Sequence, residues 1–216
     1  MIFLRELLNF ERAHNCQEIE AQFIRAARII ITEYEMVRSQ HVWCIQALEL
    51  YFDRHGVCED GTVHGPRFKE AGEQLRSCTW YVHRGGKLPP KRLGIDITAG
   101  SESKKIHAGL LIAALGEFDG SGRAVKAILR GVAKSDKDWR YNDDERNLLK
   151  RIHGEPVDSA VLSLRRRKDK RDVSSLWIGP RKLGKNAKVE DAGRLLRVSV
   201  SNFRWLPACC RELQLT

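Results

Sequence analysis

Two stretches decide how this chain is read: QALELYFDRHGVCEDGTVH at residues 46–64 and WYVHRGGKLPPKRLGIDIT at residues 80–98. Each sets a carboxylate beside an apolar alternation. Glu49 follows VWCIQAL, and Asp96 stands between Ile95 and Ile97. A charge among apolar neighbours is costly, so such a carboxylate is either paired with a cation or put to chemical use. Tyr51, His64, Tyr81 and His83 lie around the two acids, and their flat side chains can stack on a planar ligand.

Working outward, residues 41–52 read as a strand, and residues 80–83, 93–98 and 108–115 as three more. The β-branched run Ile29, Ile30, Ile31 and Thr32 reads as a further strand, joined through a polar turn at 34–40 to make a hairpin that delivers Glu49 to its inner end. Residues 3–13 and 18–27 repeat apolar positions at helical spacing. Helices are also predicted over 123–132 and 143–153, the latter stopped by Gly154 and Pro156. Residues 157–164 form a short apolar segment, and 175–178 and 195–200 read as late strands. The polar, glycine-bearing stretch 53–79 is a long loop of the kind that usually serves function.

No internal repeat or low-complexity linker interrupts the 216 residues, so residues 1–216 are expected to form one domain. Apolar content of 42% and charged content of 31% suit a globular fold. No apolar run is long enough for a membrane span, and the first residues do not resemble a signal peptide. No membrane partner is expected, and a monomer is.

The net charge is +10, which points to a polyanionic partner. The positive residues cluster at 165–171 and again at Arg181, Lys182, Lys185 and Lys188. The run 165–171 should be solvated unless it meets phosphate. Arg123, Lys126 and Arg130 fall on one helical face opposite Val125, Ile128 and Leu129. Six cysteines show no metal-ligand spacing. They are expected to be reduced thiols in a cytoplasmic protein.

Phosphate-binding glycine loops, serine nucleophile elbows and HExxH are all absent from the sequence. Carboxylates beside stacking groups and a cationic surface remain. These are the parts needed to hydrolyse an N-glycosidic bond. A carboxylate stabilises the oxocarbenium-like transition state or deprotonates the attacking water. Flat groups hold a base taken out of its stack, and cations hold the flanking phosphates.

The chain resembles the alkyladenine, or methylpurine, DNA glycosylase family. The family's glutamate-x-tyrosine is matched by Glu49, Leu50 and Tyr51, and its acidic turn with histidine by Glu59 to His64. Its YVY segment is matched by Tyr81, Val82 and His83. Asp96 stands where the family has an asparagine. The pattern VLLRALEP is similar to LLIAAL at 110–115, the glycine-started helix to 122–129, the arginine-x-glycine strand to RKLG at 181–184, and the final LRF strand to Leu196, Arg197 and Val198. The order of these matches holds over about residues 20–206.

The resemblance implies an α+β fold, a curved, mostly antiparallel sheet with surrounding helices. It also implies a monofunctional DNA glycosylase that flips out a modified base and leaves an abasic site. Glu49 would activate water. Asp96 would orient that water, stabilise the cationic sugar or serve as the main carboxylate. Tyr51, His64, Tyr81 and His83 would form the base pocket. Arg84, Lys87, Arg123, Lys126, Arg181 and Lys182 would hold DNA, and Leu88 would fill the gap in the duplex. No metal or other cofactor is called for. Lys104 and Lys105 are the amines nearest in sequence for lyase chemistry, with nothing marking either as activated.

Departures from the family sit at the pocket. Asp96 replaces an amide, His83 an aromatic and Ala113 an arginine, and the loop between Tyr51 and His64 is longer. They leave room for a base other than an alkylated purine; the chain also resembles, in size and type, a bacterial anti-phage glycosylase, which implies glucosylated hydroxymethylcytosine of phage DNA as the base removed in antiviral defence. Alkylpurine repair and a non-catalytic DNA-binding module are the alternatives. Glu49 also reads as an ordinary ion-paired strand carboxylate, and Asp96 as a turn cap or a partner of Arg92.

Overall fold

The computed structural model describes residues 2–59, 71–83, 93–131, 141–173, 175–180, 197–200 and 211–214. The chain opens with helices α1 (Ile2–Leu7) and α2 (Cys16–Glu33). Strands β1 (Tyr34–Arg38), β2 (His41–Asp53), β3 (Ser77–Val82), β4 (Ile95–Ala99), β5 (His107–Leu115) and β6 (Phe118–Asp119) follow. Then come α3 (Ser121–Arg130), α4 (Asp143–Ile152), β7 (Ser163–Arg166), β8 (Ser175–Gly179), β9 (Arg197–Val200) and β10 (Arg211–Gln214). It is an α+β domain built on a curled antiparallel sheet, ordered β10-β8-β9-β2-β5-β4-β3. β1 pairs with the first half of β2 and with β7.

The 13-residue β2 is central because its alternation gives it two useful faces. One face carries Leu48, Leu50 and Phe52 into the main core, beside Leu110 and Ile112 of β5 and Ile95 and Ile97 of β4. The other carries Ala47, Glu49 and Tyr51. The register shifts on either side of Ala47 in the β2–β5 pairing, a bulge that leaves Gln46 and Ala113 without opposite partners in the ladder.

Several elements differ from the sequence expectation, four of them most clearly. Residues 29–32 are not a strand but the last turns of α2, because Ile30 and Ile31 extend the buried stripe of Ile19, Phe23, Ala26 and Ala27. Packing of that stripe outweighs the β preference of three isoleucines. The hairpin partner of β2 is therefore β1, in the stretch expected to be a turn. α1 ends at Leu7 rather than at 13, and β10 was not foreseen. The start of α2 follows from Asn15, whose side chain accepts from the Glu18 N–H at 2.9 Å.

Cys16, at the first turn of α2, is disulfide-bonded to Cys58, just beyond β2, with Cα atoms 5.1 Å apart. The expectation of reduced thiols fails for this pair, since chain topology brings together two cysteines 42 residues apart. Cys44 and Cys78 are free thiols. Among the described residues no helix is long and apolar enough to cross a membrane.

Candidate active site

The two acids singled out by the sequence share one row of the sheet. Tyr81 of β3 is opposite Asp96 of β4, Asp96 is opposite Leu111 of β5, Leu111 is opposite Glu49 of β2, and Glu49 is opposite Arg197 of β9. Residues directly opposite in antiparallel strands share a face. The row therefore lies on the face away from the main core.

Glu49 is 6% exposed. Arg197 Nη1 donates to its Oε1 at 3.0 Å, and the Tyr51 hydroxyl donates to Oε2 at 3.4 Å. The guanidinium offsets the cost of burying a charged carboxylate. Arg197 Nη2 also lies 3.9 Å from Asp119 Oδ1.

Asp96 is fully buried. Its Oδ1 is 2.8 Å from His83 Nε2, and its Oδ2 accepts from Gln74 Nε2 at 3.4 Å. Burial of His83 disfavours the imidazolium, but the charge and hydrogen bond of Asp96 outweigh it and raise the pKa above the ordinary 6.5. Asp96 sits within β4 and is met by His83 and Gln74 rather than capping a turn; Arg92 lies outside the described residues.

Two glycines make room for this pair. A Cβ at Gly109 would sit 2.8 Å from Asp96 Oδ2, and one at Gly94 would sit 2.7 Å from Leu111 Cδ1 and 3.0 Å from His83 Cε1. His83 thus lies over Gly94, and the Asp96 carboxylate over Gly109. The Tyr51 ring meets His83 edge-on, with centroids 6.4 Å apart and planes at 90°. Tyr51 consequently touches both halves of the site, Glu49 through its hydroxyl and His83 through its ring.

Tyr81 is fully buried, its ring between those of His83 and His153 at 5.6 and 5.5 Å. It packs between these two rings on the same sheet face as Asp96. His153 takes the Val82 N–H on Nδ1 at 3.0 Å and faces Glu73 through Nε2.

The basic face expected on α3 is broken. Arg123 is exposed, but Lys126 is only 6% exposed, and Arg130 is held by Glu145 at 2.5 Å. The run 165–171 is not merely solvated either. Arg165 and Arg166 pair with Glu35 and Glu33, each at 2.6 Å, and Arg171 donates to Gln46 Oε1 at 3.0 Å. His64, Arg84, Lys87, Leu88, Arg181 and Lys182 lie outside the described residues. Lys104 and Lys105 are exposed in the β4–β5 turn.

The sequence reading missed Gln74, His153 and the site role of Arg197. Arg197 carried a signal, a lone cation in the alternating run LLRVSV at 195–200. Gln74 and His153 carried none, because they come from a 3₁₀ turn and a helix end that meet the site only in the folded chain. Two open cavities of about 510 Å³ share no lining residue with the row. One lies by Arg5, Arg76 and Ser77, the other by Glu35 and Arg165 to Asp169. Among the described residues no His, Cys, Asp and Glu cluster is arranged to hold a metal. No protein-family model matches the chain, and no curated protein matches it.

Proposed function

We propose that this chain is a monofunctional DNA glycosylase of the alkyladenine DNA glycosylase type, which hydrolyses the N-glycosidic bond of a flipped base. The observation that carries the reading is the shared row of Glu49 and Asp96, joined through Tyr51 and His83 on one sheet face. Glu49 takes the proton of the attacking water or faces the cationic sugar, and Arg197 and Tyr51 hold its carboxylate. Asp96 has both oxygens engaged in the interior, so it acts through His83 rather than on the sugar. The +10 charge serves the phosphates. The chemistry calls for no cofactor. A phage-modified cytosine is the base we favour, removed in antiviral defence, with alkylpurine repair as the alternative.

A non-catalytic DNA-binding module is the second reading, favoured by the Arg197–Glu49 ion pair, which already occupies the carboxylate. One experiment separates them. Duplexes carrying alkylated, deaminated or phage-modified bases are incubated with the protein and then cleaved at abasic sites. Nicking that is lost in Glu49→Gln, while DNA affinity persists, supports the enzyme. Binding without nicking on every substrate supports the module.

A further inference from the structure

We propose that the cavity between α1, the start of β3 and the end of β4 binds a phosphate monoester with a neutral, hydroxyl-bearing body, of which a ribonucleoside monophosphate is the type that fits. This cavity, of about 510 Å³, is the one by Arg5, Arg76 and Ser77, and it shares no lining residue with the row of Glu49 and Asp96. The inference is independent of the glycosylase reading.

The charges are placed for an anion. Arg5 comes from α1, and Arg76 stands between the 3₁₀ turn Ala71–Leu75 and β3. Both line the cavity and both are exposed. Among the described residues neither is paired with a carboxylate, whereas Arg130, Arg165, Arg166 and Arg197 each hold one. Two guanidinium forks match the oxygens and the charge of about −2 on a phosphate monoester better than they match a single carboxylate. The backbone at the rim is fixed. The Gly100 N–H donates to Arg76 O at 2.9 Å, and a Cβ at Gly100 would sit 1.8 Å from Gln74 O, so the turn presses directly on the end of β4. Cys78, at φ 58°, marks a break in the β3–β4 register between Ser77 and Trp80. Ser77 and Thr79, on either side of it, both line the cavity. A cysteine in left-handed backbone is strain of the kind that collects at ligand sites.

The rest of the wall selects the body. Glu11 is an acid in that wall, and its Oε1 accepts from the hydroxyls of Ser101 at 2.5 Å and Ser103 at 3.4 Å. Among the described residues nothing donates to its Oε2, which is left to accept from a ligand hydroxyl. A second anionic group there would be repelled, so the ligand is charged at one end only. Leu8, Phe10, Ala99 and Ile106, all buried, supply apolar wall for a flat ring. The volume falls within the range of small-molecule pockets, about 300–1,000 Å³, and exceeds what inorganic phosphate alone would fill. One anionic end, a hydroxyl donor and a flat body together describe a ribonucleoside monophosphate.

The test titrates the full chain with adenosine 5′-monophosphate, adenosine and inorganic phosphate, by calorimetry and by amide NMR. The monophosphate should bind at a single site with a Kd of about 1 mM or tighter, and adenosine and phosphate at least about tenfold more weakly. Amide shifts should gather at Ser77, Gly100 and Ser101. Arg5→Gln and Arg76→Gln should each weaken binding about tenfold, and the double variant about a hundredfold. Both arginines are exposed, so these variants should keep the wild-type Tm. An affinity unchanged in the double variant overturns the inference. So does adenosine or phosphate binding as tightly as the monophosphate, or a set of shifts that gathers at Glu49 and Tyr51 instead. Absence of saturable binding up to about 10 mM overturns it as well. None of these outcomes tests base excision, so the glycosylase reading is decided separately.

Discussion

His83 Nε2 and Asp96 Oδ1 lie 2.8 Å apart across the β3–β4 pair, and the Asp96 side chain is 1% exposed. A buried carboxylate facing an imidazole stabilises the fold more when the imidazole carries its charge than when a neutral ring only donates a hydrogen bond.

This gives a pH signature. The folded-state pKa of His83 is raised above its ordinary 6.5. Stability from the pair is therefore fully present below the ordinary value and is lost as pH rises through the folded value. Asp96→Asn removes that contribution. The Tm difference between wild type and variant should be largest near about pH 6 and shrink toward about pH 9. A gap that is constant with pH would show that the pair does not carry charge in the fold.

Gly109 should tolerate no side chain. A Cβ there meets Asp96 Oδ2 at 2.8 Å and Asp96 Cβ at 3.2 Å. Asp96 is pinned by His83 and Gln74, so it cannot swing aside cheaply. Gly109→Ala should cost about 1–3 kcal/mol in urea unfolding. It should also move the His83 titration, read by NMR, toward its ordinary value. Wild-type stability with an unshifted titration would mean that the carboxylate does not lie over Gly109.

The strands that build this site were legible because they obey a simple rule. β2, β4 and β5 alternate or run apolar between polar turns, and their Cα register then puts Glu49 and Asp96 in one row without further information. What escaped depends on the third dimension. Ile29 to Thr32 favours a strand locally, yet its residues continue the buried stripe of α2. Arg197 reaches Glu49 from a strand 148 positions later, and no local pattern announces such a partner. Lys126 looked like one of a basic trio, but its own side chain is buried while Arg123 and Arg130 are exposed. Charge on a helix specifies a solvent face only when the neighbouring elements leave that face open.

The Cys16–Cys58 bridge closes a loop around β1 and β2 with a sequence separation of 42. Loop-closure entropy alone gives about 4 kcal/mol for a loop of that length, an upper value if the reduced chain retains structure. Cys58→Ser should lower the Tm by several degrees, and dithiothreitol should lower the Tm of wild type but not of the variant. A wild-type Tm indifferent to reductant, with all six thiols of the unreduced protein titratable, would show that the bridge does not form in solution.

Glu49 and Arg197 should behave as one unit. Their side chains are 8% and 12% exposed, and Arg197 Nη1 lies 3.0 Å from Glu49 Oε1. Arg197→Met leaves a buried carboxylate with the Tyr51 hydroxyl but without its guanidinium, at a cost of about 3 kcal/mol or more. Glu49→Gln strands a cation, though Asp119 at 3.9 Å offers it a second anion, so the loss should be smaller. The combined variant removes both charges and should be more stable than the sum of the single losses requires. A coupling energy of about 1–3 kcal/mol in a double-mutant cycle of chemical denaturation is expected. Strict additivity would mean that the two side chains are not paired in solution, and Arg197 would then lose its role in holding Glu49 for chemistry.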